Sequence, residues 1–305
     1  MLQKGVLAVI IRQLMMNSPA IKRYSADKIA LLGLLVVGLI IAGLITSART
    51  TRPMRAGAAA VAAVRNEGLG DILDKQGWEA YYFVNDDQGR LVGFATEIFE
   101  RAGGDANSAI SSRALFFIRR PYVQETLLSF ECDDSLDNFR GEMQVRALGR
   151  KVSTSVVSLD AGGRVTVIDS GSGEKIPIEA EKNSVPEYLI ERLAVAATRG
   201  REGKLVFNVI GNDGAQDVAI VSTEKMRQAS PRLGGKGRIV EIHSPEQQYT
   251  MQVLLDSADR IVEIATRHQF TLIQVRASRE DIMREFGEFG IFSEPDEATR
   301  ETDAI

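Results

Sequence analysis

Residues 29–46 (IALLGLLVVGLIIAGLIT) contain no charged side chain, and only the terminal Thr46 is polar. At 1.5 Å per residue, a helix of that length reaches about 27 Å, close to the roughly 30 Å hydrocarbon thickness of a bilayer. The run therefore predicts one transmembrane helix over 29–48, with Ile29, Leu35, Val36, Leu39, Ile41 and Leu44 among the residues meeting lipid. A cleavable signal has a shorter apolar core after a short basic segment, so the length favours an uncleaved anchor, while Thr46-Ser47-Ala48 keeps cleavage open as the alternative. Gly38 and Ala42 form one small-xxx-small pair, the only feature pointing to a homodimer and too common to support one.

Charge separates the two sides of this run. Of the 37 Lys and Arg, eight lie before residue 56, with only Asp27 among the 41 acids to balance them. A basic collar suits anionic headgroups, whereas the acidic remainder repels phosphate backbones, which excludes nucleic acid as a partner class. Lys4 and Arg12 tip the basic count towards a cytoplasmic leader (1–28), placing the body outside the cytoplasm. Within the leader, Val6 to Met16 reads equally as an interfacial helix or a plain tail. The single cysteine, Cys132, excludes an intramolecular disulfide and a cysteine-rich zinc site.

Beyond the membrane the pattern changes twice. Residues 49–76 are basic and alanine-rich, then glycine-bearing, and read as a helical stalk. From residue 77 to 290 short β-branched and aromatic runs alternate with Asp/Gly turns, the mark of antiparallel strands joined by hairpins. Runs at 79–84, 91–99, 113–118, 126–131, 140–148, 151–159 and 164–168 make a first series; 204–210, 218–222, 238–243, 249–255, 260–265 and 270–276 make a second. The two series allow either one domain or two halves, 77–182 and 183–290. Between them, Ser184 and Glu187 fit a capping box for a helix ending before Gly200, with Leu189, Ile190, Leu193, Ala194 and Ala197 on one face. Ser278 with Asp281 starts a short closing helix, and 291–305 is an acidic tail. The fold class expected is α+β, mainly β: an antiparallel curved sheet, or half-barrel, packed on a helix and preceded by one transmembrane helix.

Residues that could carry chemistry do not assemble into a recognised motif. His243 and His268 lack partners at metal-ligand spacing, and Cys132 sits beside Asp133 and Asp134, which would raise its thiol pKa. Asp133, Asp134 and Asp137 lack the graded spacing of a calcium loop, and Gly234 to Arg238 lacks that of a phosphate loop. Asp87 to Val92, Asp160 to Val165 and Asp256 to Ile261 each place Asp in a turn and Arg at the head of a strand. Turn chemistry explains these better than an anion site. Trp78, Tyr82 and Phe94 are candidates for an apolar ligand wall, with core packing as the default. No catalytic residue, metal or cofactor is expected.

Three stretches together resemble the bacterial extracytoplasmic half-barrel proteins, such as outer-membrane lipoprotein carriers and related families of unknown function: Gly77-Trp78-Glu79-Ala80-Tyr81-Tyr82 with Val92-Gly93-Phe94, Val185-Pro186-Glu187-Tyr188-Leu189, and the closing run from Leu255 to Glu280. The resemblance implies an open sheet with an apolar concave face wrapped on a helix. The function expected is binding of an apolar ligand, a lipid, or an envelope partner by a membrane-anchored, non-enzymatic protein. The alternatives are an assembly component of an envelope complex and, third, a hydrolase. An uncleaved anchor departs from a soluble carrier and speaks against shuttling between membranes.

Overall fold

The computed structural model describes residues 51–101, 109–119, 123–169, 175–181, 183–201, 203–212, 214–225, 237–268 and 270–287. The leader, the apolar run at 29–46 and the tail 291–305 lie outside the described residues. Among those described, no helix is long and apolar enough to cross a membrane. The chain divides into two compact units, 1–52 and 53–305, and the described structure belongs almost wholly to the second.

That unit is built on one 15-stranded sheet. Strands β1 (Glu79–Asp86), β2 (Leu91–Arg101), β3 (Ile110–Ile118), β4 (Gln124–Cys132), β5 (Phe139–Ala147), β6 (Arg150–Leu159), β7 (Arg164–Asp169) and β8 (Lys175–Glu179) follow one another outward from the middle. Strands β9 (Val185–Pro186), β10 (Gly203–Ile210), β11 (Gln216–Lys225), β12 (Arg238–Ser244), β13 (Tyr249–Leu255), β14 (Ile261–Arg267) and β15 (Thr271–Ala277) return from the other edge. Every ladder is antiparallel except the two-residue pairing of β9 with β10. The halves 77–182 and 183–290 are not separate domains: β1 pairs with β15 from Tyr81↔Ala277 to Asp86↔Leu272, fusing them at the centre.

Strands β8 and β9 are consecutive in sequence yet occupy opposite edges, so the sheet must curl until its edges approach. Among the described residues no ladder closes the seam; side chains do. The Gln216 amide donates to the Glu179 carbonyl (2.7 Å) and its oxygen accepts from the Glu181 N–H (2.9 Å), imitating a strand pairing. On the neighbouring stretch Ser155 Oγ of β6 donates to the Asn212 carbonyl at 3.0 Å. Gly214 sits so close to β7 that a Cβ there would fall 1.9 Å from Val167 Cγ2.

Alternation along the strands gives each face its own core. Ala80, Tyr82 and Val84 of β1 and Ala95 and Phe99 of β2 point inward, into the large cluster that surrounds the helices. Tyr81, Phe94, Leu115 and Phe117 point outward, where helix α4 (Arg279–Phe286) covers them with Ile282 and Phe286. Ser278 caps α4 as its spacing predicts, accepting from the Asp281 N–H at 3.0 Å. The three Asp turns are hairpin chemistry, although in the first it is Asp86, one residue before the Asp87 of the sequence pattern, that makes the bonds. Asp86 Oδ1 accepts from the N–H groups of Gln88 and Arg90, Asp256 Oδ1 from those of Ala258 and Arg260, and Asp160 Oδ1 from that of Arg164.

The segment read as a stalk is part of the folded unit. Residues 51–67 are helical (α1), followed by α2 (Leu69–Gln76). Ala60, Val61, Val64, Leu69, Ile72 and Leu73 are buried in the inner core, a 3.6-period stripe that an alanine-rich composition conceals. Helix α1 lies against β10, below its short pairing with β9, and so shields an otherwise bare strand edge. Gly57 permits the contact: a Cβ there would stand 1.8 Å from the Val206 carbonyl oxygen.

Gly57→Ala should therefore destabilise the protein. Better helix propensity offers about 1 kcal/mol, but the clash is with backbone that cannot rotate away, and overpacking of this kind costs about 1–3 kcal/mol. Chemical denaturation checks this; a variant as stable as the parent, or more stable, would mean that α1 does not seal the edge.

Candidate functional site

Helix α3 (Ile190–Ala197, IERLAVAA) runs through the space enclosed by the sheet and is buried on nearly every side. Small residues make that possible, since Ala194, Ala196 and Ala197 let the helix approach strands around its circumference. A 3-10 turn, Glu187–Leu189, leads into it. The capping box expected from Ser184 and Glu187 does not form, because Ser184 Oγ donates to the Glu181 carbonyl at 2.6 Å instead. At the other end Thr198 Oγ1 donates to the Ala194 carbonyl (2.7 Å), and Arg238 donates to Thr198 Oγ1 (2.6 Å) and the Val195 carbonyl (3.3 Å). A cation thus stands at the helix C-terminus, where the dipole favours it.

Arg192 is 1 % exposed and pins α3 to the sheet. Its Nε donates to Glu97 Oε2 at 3.0 Å and its Nη2 to the same oxygen at 2.5 Å, while Nη1 reaches the Gly77 carbonyl at 3.3 Å. The guanidinium also lies over the Phe99 ring, 4.7 Å from its centroid. Gln76 of α2 donates to the Arg192 carbonyl at 3.0 Å. Burial alone would lower the Arg192 pKa, but the Glu97 carboxylate more than offsets it and raises it above its ordinary value. Tyr188 braces the opposite side. Its hydroxyl accepts from Ser112 Oγ of β3 at 2.8 Å, and its ring lies 5.3 Å from Phe130 and 6.3 Å from Phe99.

The turns at 86–90, 147–150, 211–215, 245–248 and 267–271 gather at one end of the sheet, here the mouth. There α3 stops short of the rim and leaves a cavity of about 590 Å³. Glu187, Tyr188, Ile190 and Glu191 form its floor; Asn212, Gln247, Tyr249, Met251, Thr266 and His268 form its wall. Glu187 accepts from the Asn212 N–H at 3.3 Å. Glu191 is half-buried and lines the cavity. Burial and then the nearby Glu97 carboxylate push its carboxyl up to about 8, so it is largely neutral at pH 7. Burial and then the Glu187 and Glu191 carboxyls likewise raise the Tyr249 phenol, which stays a neutral donor. The cavity thus joins an aromatic and aliphatic wall to two carboxyl groups.

The residues named from sequence as a ligand wall do not share a site. Trp78 is half-buried at the start of β1, with Nε1 donating to Asp74 at 2.8 Å and Arg101 5.2 Å over its ring. Tyr82 is in the inner core with Arg276 5.6 Å over its ring, and Phe94 is in the outer core, 4.9 Å from Phe286 and 5.3 Å from Phe117. Strand alternation puts Tyr82 and Phe94 on opposite faces. The anchor residues Ile29 to Leu44 lie outside the described residues. His268 does stand at the cavity rim, while His243 faces Thr250 Oγ1 at 3.2 Å. Cys132 is buried, its thiol raised by burial and then by Asp133 and Asp134. Those aspartates serve the fold: Asp133 accepts from the Asp137 N–H (2.8 Å) and Asp134 from the Gly70 N–H (2.7 Å). Among the described residues no group of His, Cys, Asp or Glu could hold a metal ion.

Compared with protein-family models and with curated proteins, the chain has no match. Among solved structures it is similar to a Brucella abortus protein described as a beta-barrel-like protein of domain of unknown function DUF1849. The TM-score is 0.50 and the identity 12 %, covering 66 % of this chain and 95 % of that one. At that identity the likeness speaks for the fold alone: a mainly β, curved open sheet with few helices.

Glu191 makes stability depend on pH in a stated direction. Its pKa rises from an ordinary 4.5 to about 8 on folding, so between those values the folded state holds more protons than the unfolded one. Stability should fall as pH rises through that window and level off above it. Glu191→Gln, neutral at every pH, should show a shallower decline in denaturant midpoint over the same range; identical slopes would contradict the assignment.

Proposed function

We propose that the protein is a non-enzymatic binding module, tethered to a membrane by residues 29–46 with its β-rich unit outside the cytoplasm. In this reading the mouth cavity receives an amphipathic molecule with an amine head. The observation that carries the reading is the cavity itself: about 590 Å³, within the range for small-molecule sites, with Glu187 and Glu191 on its floor opposite Tyr249 and Met251. An ammonium group would meet the two carboxyls while its apolar body lay along the wall. Kinship with the half-barrel lipoprotein carriers is proposed for the scaffold and not for the cargo, because α3 fills the inner face where an acyl chain would lie. That filled interior also favours a second reading, an assembly component of an envelope complex. Crosslinking in cells that recovers a stable protein partner, with no bound small molecule, would select it.

The amine reading is tested by titrating the purified full chain with dodecylamine and, separately, with dodecanoate, following the unfolding temperature. Dodecylamine should stabilise the protein and dodecanoate should not. Binding should tighten as pH rises towards about 8, because Glu191 must give up its proton to pair with the amine. Glu191→Gln should weaken it. A preference for dodecanoate, or dodecylamine binding indifferent to Glu191, would overturn the reading.

A further inference from the structure

The hairpin between β5 and β6 breaks two rules at once. Its two-residue turn, Leu148-Gly149, has positive φ at both positions (51° and 74°), a geometry that favours Asn or Gly and strains a leucine. The backbone N–H of Leu148 donates to the Val123 carbonyl at 3.0 Å, but its side chain, 73 % exposed, gains little packing in return for the strain. Next to it, the register passes from Val145↔Ser153 to Arg146↔Lys151, so Val152 is skipped by the ladder and left 65 % exposed. Arg146 and Lys151 then face each other directly across the strands, a like-charge pairing that destabilises the hairpin, with Arg150 beside them. No acid occurs between Glu142 and Asp160 in the sequence. Glu125 stands opposite Arg146 on β4, but no ion pair joins them; Arg146 Nε bonds Gln144 Oε1 at 2.8 Å instead.

A strained, exposed leucine ringed by unpaired cations fits a partner that is both apolar and anionic. We propose that the mouth end of the sheet docks on a bilayer carrying anionic headgroups, with Leu148 and Val152 entering the interface and Arg146, Arg150 and Lys151 meeting the phosphates. Two further placements agree. The β14–β15 turn at the same end offers Phe270, 68 % exposed, three residues after Arg267 in the sequence. The turns at the opposite end carry Asp133, Asp134, Asp137, Asp160, Asp256 and Asp259; Asp137, Asp256 and Asp259 are paired with Arg65, Arg260 and Arg238, and the other three leave that end the more acidic. The acids on the described mouth-end turns are Asp86, already paired with Arg90 at 2.6 Å, Asp87 and Glu246. A tether through residues 29–46 would hold the surface at high local concentration, so weak docking suffices. The cavity and its ligand are not needed for this contact.

The test uses the full chain in proteoliposomes, with an environment-sensitive nitrobenzoxadiazole label on Leu148→Cys and, as control, on Ser257→Cys at the far end. Cys132 is buried and stays unlabelled. In phosphatidylglycerol-containing vesicles the label at 148 should brighten several-fold and shift to the blue relative to phosphatidylcholine alone, while the label at 257 should not respond. Changing Arg146, Arg150 and Lys151 to Gln should remove the difference. Equal emission in the two lipids, or an equal response at 257, would overturn the proposal. So would a rise at 148 in detergent that tracks protein concentration, since a second copy would then be covering the tip. Because Glu187 and Glu191 take no part, a failure of amine binding leaves this readout untouched.

Discussion

A buried ion pair fixes the lumen helix against the middle of the sheet. Taking the Arg192 guanidinium out of water is costly unless its donors find acceptors, and Glu97 with the Gly77 carbonyl supplies them. Those partners come from β2 and from the junction of α2 with β1, so satisfying one side chain fixes the lumen helix against the middle of the sheet and against the helices that precede it. With Arg192 turned to the sheet, the preceding Glu191 faces the mouth. The cavity and its carboxyls are thus a consequence of where the guanidinium had to go.

The curl of the sheet is held at its edges. An ordinary meander of fifteen strands would leave two long edges, and here each is managed locally. Gln216 replaces a missing ladder across the seam, Gly214 allows the β10–β11 turn to touch β7, and Gly57 lets α1 lie on the bare part of β10. Among the described residues, the hairpin at Leu148 and the turn at Phe270 leave large apolar side chains to solvent at the mouth, and these are the features read as membrane contacts.

Much of this was legible in the sequence, and the rest fails for identifiable reasons. Strand alternation and the Asp-to-Arg turns locate thirteen of the fifteen strands, because period-2 burial and side-chain-to-backbone turn bonds are local. Lys175–Glu179 and Val185–Pro186 were missed: one follows a Gly/Ser loop and contains proline, the other is two residues long and exists only by pairing with β10. Ser184 fits a capping box by spacing, yet its hydroxyl found the Glu181 carbonyl, a choice made by the chain's path to the seam. The stalk reading failed because alanine favours helix in water and in a core alike; the stripe Ala60, Val61, Val64 was the available signal. Aromatic content could not tell which face Phe94 serves, since both faces of β2 are covered. For the site, Glu187 and Glu191, one turn apart at the head of an otherwise apolar helix, were the visible clue. Tyr249 reaches them only through tertiary pairing.

The central claim is that the lumen is a core held in register by Arg192 and Glu97, and a double-mutant cycle in denaturant unfolding tests it most directly. Glu97→Leu and Arg192→Leu should each cost about 3–5 kcal/mol, because each strands a buried charge, while the double variant should recover most of that loss. Single variants that cost less than about 1 kcal/mol and simply add would contradict it, and the lumen helix would then be held by packing alone.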